Sequence, residues 1–291
     1  MRNALLYTAG LGFLTLAKTK HLLRGYTSPK PIQSTDIERC IAYDLKVVDE
    51  WVSHLHRYTG GQGGLRGKNV LELGPGSDLG VGLYLLALGA ASYNACDVND
   101  LMRQVPASFY AALIERIAAL QGATGTLKTE IDAARAGAAS RLRLVVREDF
   151  DLVSAFGPAS MDLVFSQAAF EHFDDVPRTV EQLSMVCKPG AVIVAEIDLK
   201  THSRWIRDRD PNNIYRYSDG VYRSFRFRGI PNRLRPYRYR EIFEANGWSD
   251  VSITPLEQIS GSRDGFVAAE RFRDERNQLQ FLSVLLCAKK R

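Results

Sequence analysis

Residues 70–80, with the sequence VLELGPGSDLG, decide the fold class of the chain. Four residues that are apolar apart from Glu72 are followed by glycines at positions 74, 76 and 80, as at the end of a buried parallel strand. A glycine turn lets the backbone approach a ligand closely, and a helix that begins there points free N–H groups at the ligand. The stretch therefore predicts the ligand-binding turn of an open α/β sheet.

Strand-like and helix-like segments alternate along the rest of the chain. This alternation predicts a doubly wound α/β fold, a mostly parallel sheet of seven strands with helices on both faces. The predicted strands are residues 69–73, 92–96, 142–146, 161–165, 191–197, 251–254 and 281–288. The predicted helices are residues 36–58, 79–88, 105–120, 180–187 and 237–246, with a polar insertion at 122–137. The glycine run after residue 59 predicts a boundary between an N-terminal helical extension, residues 1–60, and one domain, residues 61–291.

The acid before the turn separates two classes of ligand. Glu72 lies two residues before Gly74, where its charge would repel a pyrophosphate but attract a cationic sulfonium and an α-amino group. NAD-dependent oxidoreductases share the architecture, but their fingerprint is G-x-G-x-x-G, whereas Gly76 and Gly80 are four residues apart. The spacing favours the sulfonium ligand, with an NAD-dependent oxidoreductase as the alternative.

Acidic residues also follow the second and third predicted strands. Asp97, about 23 residues past Gly74, is placed to accept hydrogen bonds from both hydroxyls of a ribose. A loop or helix-capping aspartate is the alternative. Asp149 could accept from the amino group of an adenine, on whose ring Phe150 could pack, although a solvated turn is an equally simple interpretation.

Residues 166–172, SQAAFEH, follow the fourth strand and therefore lie beside the glycine turn. A histidine with a reference pKa of about 6.5 can take a proton from a hydroxyl as that hydroxyl attacks, which makes His172 a candidate base. Glu171 could orient the imidazole or contact the substrate. His202, after the fifth strand, is a second candidate base across the same cleft. Either histidine could instead have a structural role.

With these motifs the chain resembles a class I S-adenosylmethionine-dependent methyltransferase of type 11. The resemblance covers residues 65–290, from E-x-G-x-G through the acid after the second strand and S-x-x-x-x-E-H to K-P-G. It implies a Rossmann-like methyltransferase fold and S-adenosylmethionine as cofactor. The implied donor-site residues are Gly74, Gly76, Asp97, Asp149 and Ser166 or Gln167, and Glu72 and Pro75 complete the predicted set. The small pair Ala168 and Ala169 and the long insertion near residue 122 depart from the family's pattern.

Two further stretches bear on the methyl acceptor. EIDLKTH at residues 196–202 and NRLR at 232–235 resemble a subgroup with relatives in surface-glycan and lipid-linked saccharide pathways. This resemblance suggests a small-molecule, saccharide or lipid-linked anionic acceptor. Arg233 and Arg235 are predicted to recruit it, because guanidinium groups bind phosphate and carboxylate in a bidentate manner.

The basic residues of the chain are concentrated around these motifs. Residues 201–240 contain eleven arginines against three aspartates, interleaved with aromatic residues. One interpretation is a lid insertion, residues 200–236, with its aromatic side chains inside and its arginines in solvent. A second interpretation is a binding site for an anionic acceptor, and a third is an RNA-binding surface. The third makes an RNA methyltransferase an alternative function.

The absence of two known motifs excludes two kinds of nucleic-acid methyltransferase. After the fourth strand the chain has neither the D/N-P-P-Y/F motif of an amino-adenine methyltransferase nor the cysteine nucleophile of a cytosine C5 enzyme. We therefore predict O-methylation with His172 or His202 as the base, and no metal cluster is evident from the sequence. A non-catalytic module that kept the fold is the remaining alternative.

The N-terminus and the cysteines bear on location. Residues 4–17 are mostly apolar and are flanked by Arg2, Lys18 and Lys20. A membrane-spanning helix needs roughly 20 such residues, so the interpretations are a helix packed on the domain, an interfacial helix in peripheral contact with a membrane, or a cleaved signal. The four cysteines are far apart and form no C-x-x-C pair, which is typical of a reducing compartment. We therefore expect a cytoplasmic protein.

Overall fold

The computed structural model describes residues 2–25, 32–122, 125–259 and 266–291. Its strands are β1 (Asn69–Leu73), β2 (Ser92–Asp97), β3 (Leu142–Val146), β4 (Met161–Gln167), β5 (Cys187–Asp198), β6 (Trp248–Gln258) and β7 (Phe281–Lys290). They form a seven-stranded sheet in the order β3-β2-β1-β4-β5-β7-β6. The first five strands are parallel, and β7 runs antiparallel between β5 and β6. The predicted doubly wound α/β fold is confirmed.

The helices cover the sheet on both faces. They are α1 (Arg2–Arg24), α2 (Ile37–Tyr58), α3 (Gly80–Ala87), α4 (Ala107–Gln121), α5 (Leu127–Arg135), α6 (Leu152–Phe156), α7 (Val176–Val186), α8 (Arg204–Arg207), α9 (Asp219–Ser224) and α10 (Pro236–Ala245). The prediction of a polar insertion at 122–137 is wrong where α5 stands. The buried side chains of Leu127 and Ile131, four residues apart, give this short helix the apolar stripe that holds it.

The order of the strands creates the crevice that the sequence predicted. The chain runs outward from β1 to β3 and then returns to place β4 on the other side of β1. In an open α/β sheet such a reversal leaves a crevice beyond the carboxyl ends of the strands. The glycine turn after β1 and the loops that follow β2 and β4 therefore meet at one place.

Helix α2 belongs to the main hydrophobic core rather than to a separate extension. The ring of Trp51 stacks on Phe165 of β4 with centroids 4.7 Å apart and planes 2° from parallel. Val48 and Leu55 are buried in the same core. The predicted boundary at residue 61 therefore marks the turn that ends α2, and not an edge of the core.

A smaller hydrophobic core, separate from the main one, lies beside the sheet. Its buried members come from residues 214–230 and from residues 268–272, and Leu11 and Leu14 of α1 pack against it. The ring of Tyr7 also contacts Tyr217, with centroids 4.9 Å apart. These contacts agree with one of the three interpretations of the N-terminus, in which residues 4–17 form a helix packed on the domain. Within the part of the chain that the structure describes, no helix is long and apolar enough to span a membrane.

Candidate active site

The glycine turn touches the loop that follows β4. Gly74 has a φ of 73°, a left-handed conformation that favours glycine. A Cβ atom added at this position would lie 2.7 Å from the Cβ of Ala169, so a larger residue does not fit without movement. Ala168 also has a positive φ, 48°. The small pair Ala168 and Ala169, which departs from the family's pattern, is what allows the turn and the loop to come this close.

Glu72 is buried at the carboxyl end of β1, two per cent exposed. The hydroxyl of Tyr93 donates a hydrogen bond to its carboxylate. Burial, together with the charges of Asp78 and Asp97, raises the pKa of Glu72 to about 8, although the Tyr93 hydrogen bond acts in the opposite direction. A cationic ligand placed here would favour the ionised carboxylate.

Two more acids, the buried Asp44 and the half-buried Asp78, flank the turn and were missed by the sequence analysis. Asp78 accepts a hydrogen bond from the amide of Gly80 at 2.7 Å, and it also interacts with the carboxyl group of Asp44 in α2. Burial is the largest cause of the raised pKa of both groups. A signal for Asp44 is present in the sequence, because this acid stands on the apolar face of α2, three residues after Ile41.

Asp97 joins the second strand to the glycine turn. Its carboxylate accepts a hydrogen bond from the amide of Asn99 at 2.9 Å, and the amides of Val98 and Gly76 also point at it. Burial raises the pKa of Asp97, while these amides lower it. The side chain thus stabilises its own loop and at the same time lies at the mouth of the crevice.

The predicted donor-site residues at the end of β4 have structural partners. The hydroxyl of Ser166 donates to the carbonyl of Leu73 at 3.0 Å and is fully buried. The amide of Gln167 accepts from the indole of Trp51 at 3.0 Å and donates to Glu196 at 2.7 Å. These side chains hold β4 against its neighbours.

The loop after β3 is more exposed. Asp149 accepts two hydrogen bonds from Arg147, both at 2.9 Å, and these hold the pKa of the Asp149 carboxyl well below its usual range. Phe150 is half-buried, with its ring centroid 4.9 Å from that of Phe173. From the lid insertion, Arg228 crosses to this loop and donates to the backbone carbonyl of Glu148 at 2.9 Å.

Glu171, His172 and His202 converge beside the turn, from the loops that follow β4 and β5. The rings of the two histidines meet edge to face with centroids 4.6 Å apart. The Nε2 atom of His202 lies 3.9 Å from a carboxylate oxygen of Glu171. The Nδ1 atom of His172 lies 2.5 Å from the carbonyl of Gly229, and because a carbonyl only accepts, that nitrogen carries the proton. We call these three residues the Glu-His-His cluster.

The electrostatic state of this cluster follows from its burial. The Glu171 side chain is 3% exposed, and burial raises its pKa well above the ordinary value. Burial also lowers the pKa of His172. The pKa of His202 falls to about 3, because burial and then the neighbouring charge of a protonated His172 disfavour its cation. Both imidazoles are therefore neutral at pH 7.

The prediction that Arg235 recruits an acceptor is not supported by its position. The side chain is 1% exposed, and its guanidinium donates to the carbonyls of Asn277, Gln278 and Phe281 at 2.6–3.0 Å. The remaining terminal nitrogen donates to the hydroxyl of Tyr215 at 3.0 Å. The side chain ties two segments of the chain together, and four of its five N–H donors are used in these internal contacts.

Arg233 is also a structural residue. Its guanidinium donates to the carbonyls of Ile214 and Tyr217 and forms an ion pair with Asp219 at 2.6 Å. It also lies 3.9 Å above the ring of Tyr222. The lid interpretation predicted that the aromatic side chains are buried and the arginines lie in solvent. The prediction for the arginines is wrong for Arg216, Arg233 and Arg235, which are buried.

Comparisons with known proteins address the family. Residues 71–195 match the family model described as "Methyltransferase domain". One similar solved structure is an S-adenosylmethionine-dependent methyltransferase from Archaeoglobus fulgidus, with 16% identity, 86% of this chain and 98% of that chain covered, and a TM-score of 0.46. Another is phosphoethanolamine N-methyltransferase 2 of Haemonchus contortus in complex with S-adenosyl-L-methionine, with 14% identity, coverage of 86% and 52%, and a TM-score of 0.44.

A third is the CurJ carbon methyltransferase, with 16% identity, coverage of 79% of this chain and 50% of that chain, and a TM-score of 0.43. The chain thus spans about half the length of the CurJ and Haemonchus proteins. No curated protein sequence matches the chain.

The matched residues contain the glycine turn, the acid after β2 and most of the Glu-His-His cluster. The residues around the crevice also fit the implied donor, because Glu72 and Asp78 provide carboxyl groups that would favour a cationic ligand, and Asp97 provides an acceptor for ribose hydroxyls. Residues 71–195 are therefore similar to a methyltransferase domain, and they lie on a sheet with the strand order described above.

Proposed function

We propose that the chain transfers a methyl group from S-adenosylmethionine to a hydroxyl oxygen of a small-molecule acceptor. The observation that carries this proposal is the convergence of Glu171, His172 and His202, which begins two residues beyond Ala169, the residue that lies against Gly74 of the turn. Neutral imidazoles and a carboxyl group next to a methyl donor are suited to removing or weakening the proton of a hydroxyl. A nitrogen nucleophile with a free lone pair has less need of such a cluster.

The donor would be held by residues around the turn. Gly74, Pro75 and Gly76 provide the close backbone approach, Asp97 accepts from the ribose, and Glu72 attracts the ammonium and the sulfonium. Asp149 and Phe150 would contact the adenine, with the ends of β4 closing the pocket at Ser166 and Gln167. When bound, the donor supplies a methyl group on a cationic sulfur: its C–S bond breaks with the electron pair retained by sulfur, and the C–O bond forms as the hydroxyl loses its proton.

The positions of the arginines favour a small molecule over RNA as the acceptor. Arg216, Arg233 and Arg235 are buried, while Arg226 and Arg228 form ion pairs with acidic residues of the loops they face. A surface that reads a phosphate backbone needs free cationic side chains in a continuous groove. Because Arg233 and Arg235 are engaged internally, they do not support an anionic acceptor, and the proposal rests on the hydroxyl alone.

We also propose that α1 contacts the surface of an anionic membrane. The exposed Leu5, Leu16 and Leu23 lie eleven and seven residues apart, which places them on one face of the helix. The helix contains no acidic residue, and Lys20 and Arg24 lie near its C-terminal end. Exposed leucines flanked by cations are typical of a helix that lies in the interface of anionic lipids.

The acceptor proposal is tested with a donor whose methyl group carries carbon-13. The purified chain is incubated with this donor and a small-molecule cell extract, and the products are examined by carbon NMR, which separates methyl groups on oxygen, nitrogen and carbon. We expect label on oxygen, lost in His172→Gln and retained in His54→Gln, whose histidine lies on α2. Label on nitrogen, on carbon or on added RNA would contradict the proposal.

A further inference from the structure

Each residue of the Glu-His-His cluster offers one atom of a kind that binds metal ions. These three atoms, two imidazole nitrogens and a carboxylate oxygen, all lie within 4.8 Å of one another. They come from two loops, with Glu171 and His172 adjacent in the chain and His202 after β5. From this arrangement we propose that the cluster binds one divalent transition-metal ion that holds the acceptor's hydroxyl, an inference that rests on the proposed O-methylation.

The ring of His172 is already oriented as a metal ligand would be. Its Nδ1–H donates to the carbonyl of Gly229, so its Nε2 atom carries the free lone pair. A histidine ligand almost always donates its other N–H to a carbonyl or carboxylate, which fixes the ring and raises the basicity of the ligating nitrogen. The backbone of the lid insertion provides that second partner here.

The surroundings of the Glu171 carboxyl group are a second observation, independent of the ligand distances, that points to a bound cation here. The backbone amides of Glu171 and Asp198 approach this buried carboxyl group and lower its pKa, but within the described residues neither carboxyl oxygen has a hydrogen-bond partner of good geometry. The Nδ1 atom of His202 is likewise unpartnered within the described ranges. Buried polar groups in native proteins are nearly always satisfied, and an unsatisfied carboxylate is among the most unfavourable of them.

The cationic side chains nearest to the cluster do not fill this role. Lys200 and Arg207 are close enough to lower the pKa of His202, but they form ion pairs with Glu257 and Asp198. A cation bound between Glu171 and the two imidazoles would supply the missing partner. The buried carboxylate and the cation would then neutralise each other's charge.

The donor set selects the class of metal. Two imidazole nitrogens and one carboxylate oxygen suit Zn²⁺ and the neighbouring divalent metals, whereas Mg²⁺ and Ca²⁺ prefer oxygen ligands alone. Ligand atoms around such an ion stand about 3.0–3.4 Å apart. Glu171 and His202 are 3.9 Å apart and all three ligand atoms lie within 4.8 Å of one another, so the side chains would close by up to about 1.8 Å.

Three protein ligands leave coordination positions open for the acceptor. A hydroxyl bound to the ion would lose its proton to solvent water more readily, because the cation lowers its pKa. Its oxygen would then form the bond to the methyl carbon. In this arrangement the histidines hold the ion, and direct proton acceptance by a metal-free imidazole becomes the competing outcome.

The test is a calorimetric titration of the chelator-treated chain with Zn²⁺, followed by the visible spectrum of the Co²⁺ form. We expect one Zn²⁺ per chain with submicromolar affinity, and d–d bands of a nitrogen- and oxygen-ligated Co²⁺. Changing a second partner of a metal ligand already costs 10–100-fold in affinity, so Glu171→Gln and His202→Gln should each weaken binding by on the order of 100-fold or more. The matched control His54→Gln should bind like the unmodified chain.

The measurement also separates this inference from the proposed function. S-adenosylhomocysteine binding and O-methyl transfer are measured on the same metal-free and metal-loaded samples. Full transfer by the metal-free chain, or equal Zn²⁺ affinity in Glu171→Gln, would overturn the metal site and leave the proposed function intact. Zn²⁺ binding without transfer to oxygen would overturn the proposed function and the ion's role in holding the acceptor, and would leave only the metal site itself. Should a variant fail to fold, the Co²⁺ spectrum of the unmodified chain decides the matter.

Discussion

Four acids, three of them buried, surround the glycine turn, and sequence patterns identified only two of the four. Glu72 and Asp97 stand at the ends of strands, where the spacing from the turn indicates a role. Asp44 reaches the turn from α2 and interacts there with the half-buried Asp78. Their roles depend on long-range packing, which a local pattern does not contain, although an acid on the apolar face of α2 was a usable signal.

Replacing Asp97 by alanine tests its contact with the donor. The charge-assisted hydrogen bonds from the ribose would be lost, so Asp97→Ala should weaken S-adenosylhomocysteine binding by about 1–3 kcal/mol. Calorimetric titration measures this directly. Asp100→Ala, in the same loop but ion-paired with Arg103, is the control and should bind normally. If the control lost affinity and Asp97→Ala did not, the ribose contact would have to be reassigned.

Glu72 predicts how the stability of the donor-free protein depends on pH. Its pKa rises on folding from 4.5 to about 8, so the folded state holds a proton that the unfolded state releases. The free energy of unfolding should therefore fall as pH rises from about 4.5 to 8, by up to about 1.4 kcal/mol per pH unit for this group. Glu72→Gln should show a shallower fall, because Asp44 and Asp78 still contribute in the same direction.

Chemical denaturation at several pH values measures this slope. Tyr93 can keep its hydrogen bond to an amide oxygen at position 72, so the variant changes the charge with little change in shape. Equal slopes in the two proteins would mean that Glu72 is ionised in the folded state.

The N-R-L-R motif shows why a residue pattern alone misassigned two arginines. A guanidinium that binds an external anion and one that binds backbone carbonyls look the same in sequence. Only the fold places three carbonyls around Arg235 and two around Arg233. The same motif also holds the active site, because Asn232 donates to the carbonyls of Phe170 and Phe173, on either side of the cluster.

At the scale of elements, the sequence predicted the sheet better than the helices around it. The strands of a parallel sheet are short apolar runs, so each can be recognised alone. Helix α5 was missed because only Leu127 and Ile131 form its buried stripe. The lid insertion was predicted as one segment, yet its core is completed by α1 and by residues 268–272, far away in the sequence.

The contact between the lid insertion and the β3 loop should control donor exchange. Arg228 donates to the Glu148 carbonyl and pairs with its carboxylate at 2.8 Å, next to the predicted adenine contact. Exposed pairs contribute up to about 1 kcal/mol, so Arg228→Gln should speed the release of S-adenosylhomocysteine by about two- to fivefold. Stopped-flow displacement measures this rate, with Arg238→Gln on α10 as the control. An unchanged rate would mean that the lid does not gate the donor site.

The exposed face of α1 predicts binding to lipid vesicles. We expect the chain to sediment with vesicles that contain phosphatidylglycerol, less at high salt, and not with purely zwitterionic ones. Replacing Leu16 and Leu23 together by glutamine should reduce the bound fraction at least tenfold, since burial of a leucine contributes about 1.5–3 kcal/mol. Leu256→Gln, at an exposed position of β6, is the control. Equal binding by the double variant would exclude α1 as the contact.

At the scale of the whole molecule, one crevice brings together residues from every part of the chain. Residues of α2, the glycine turn, the loops after β2 to β5 and the lid insertion meet at the carboxyl ends of the strands. The position of this crevice follows from the strand order, whereas alternation in the sequence predicts only a mostly parallel sheet with helices on both faces. Packing decides which side chains point into the crevice and which stabilise the fold around it. Only the structure distinguishes these two groups of side chains.

The most direct test of the account is a calorimetric titration of the purified chain with S-adenosylhomocysteine, with NAD measured in parallel. Buried acids at the turn and the G-x-G-x-x-x-G spacing predict micromolar binding of S-adenosylhomocysteine and none of NAD. Binding of NAD alone would contradict the account, and binding of neither would mean that the chain kept the fold and lost the donor site.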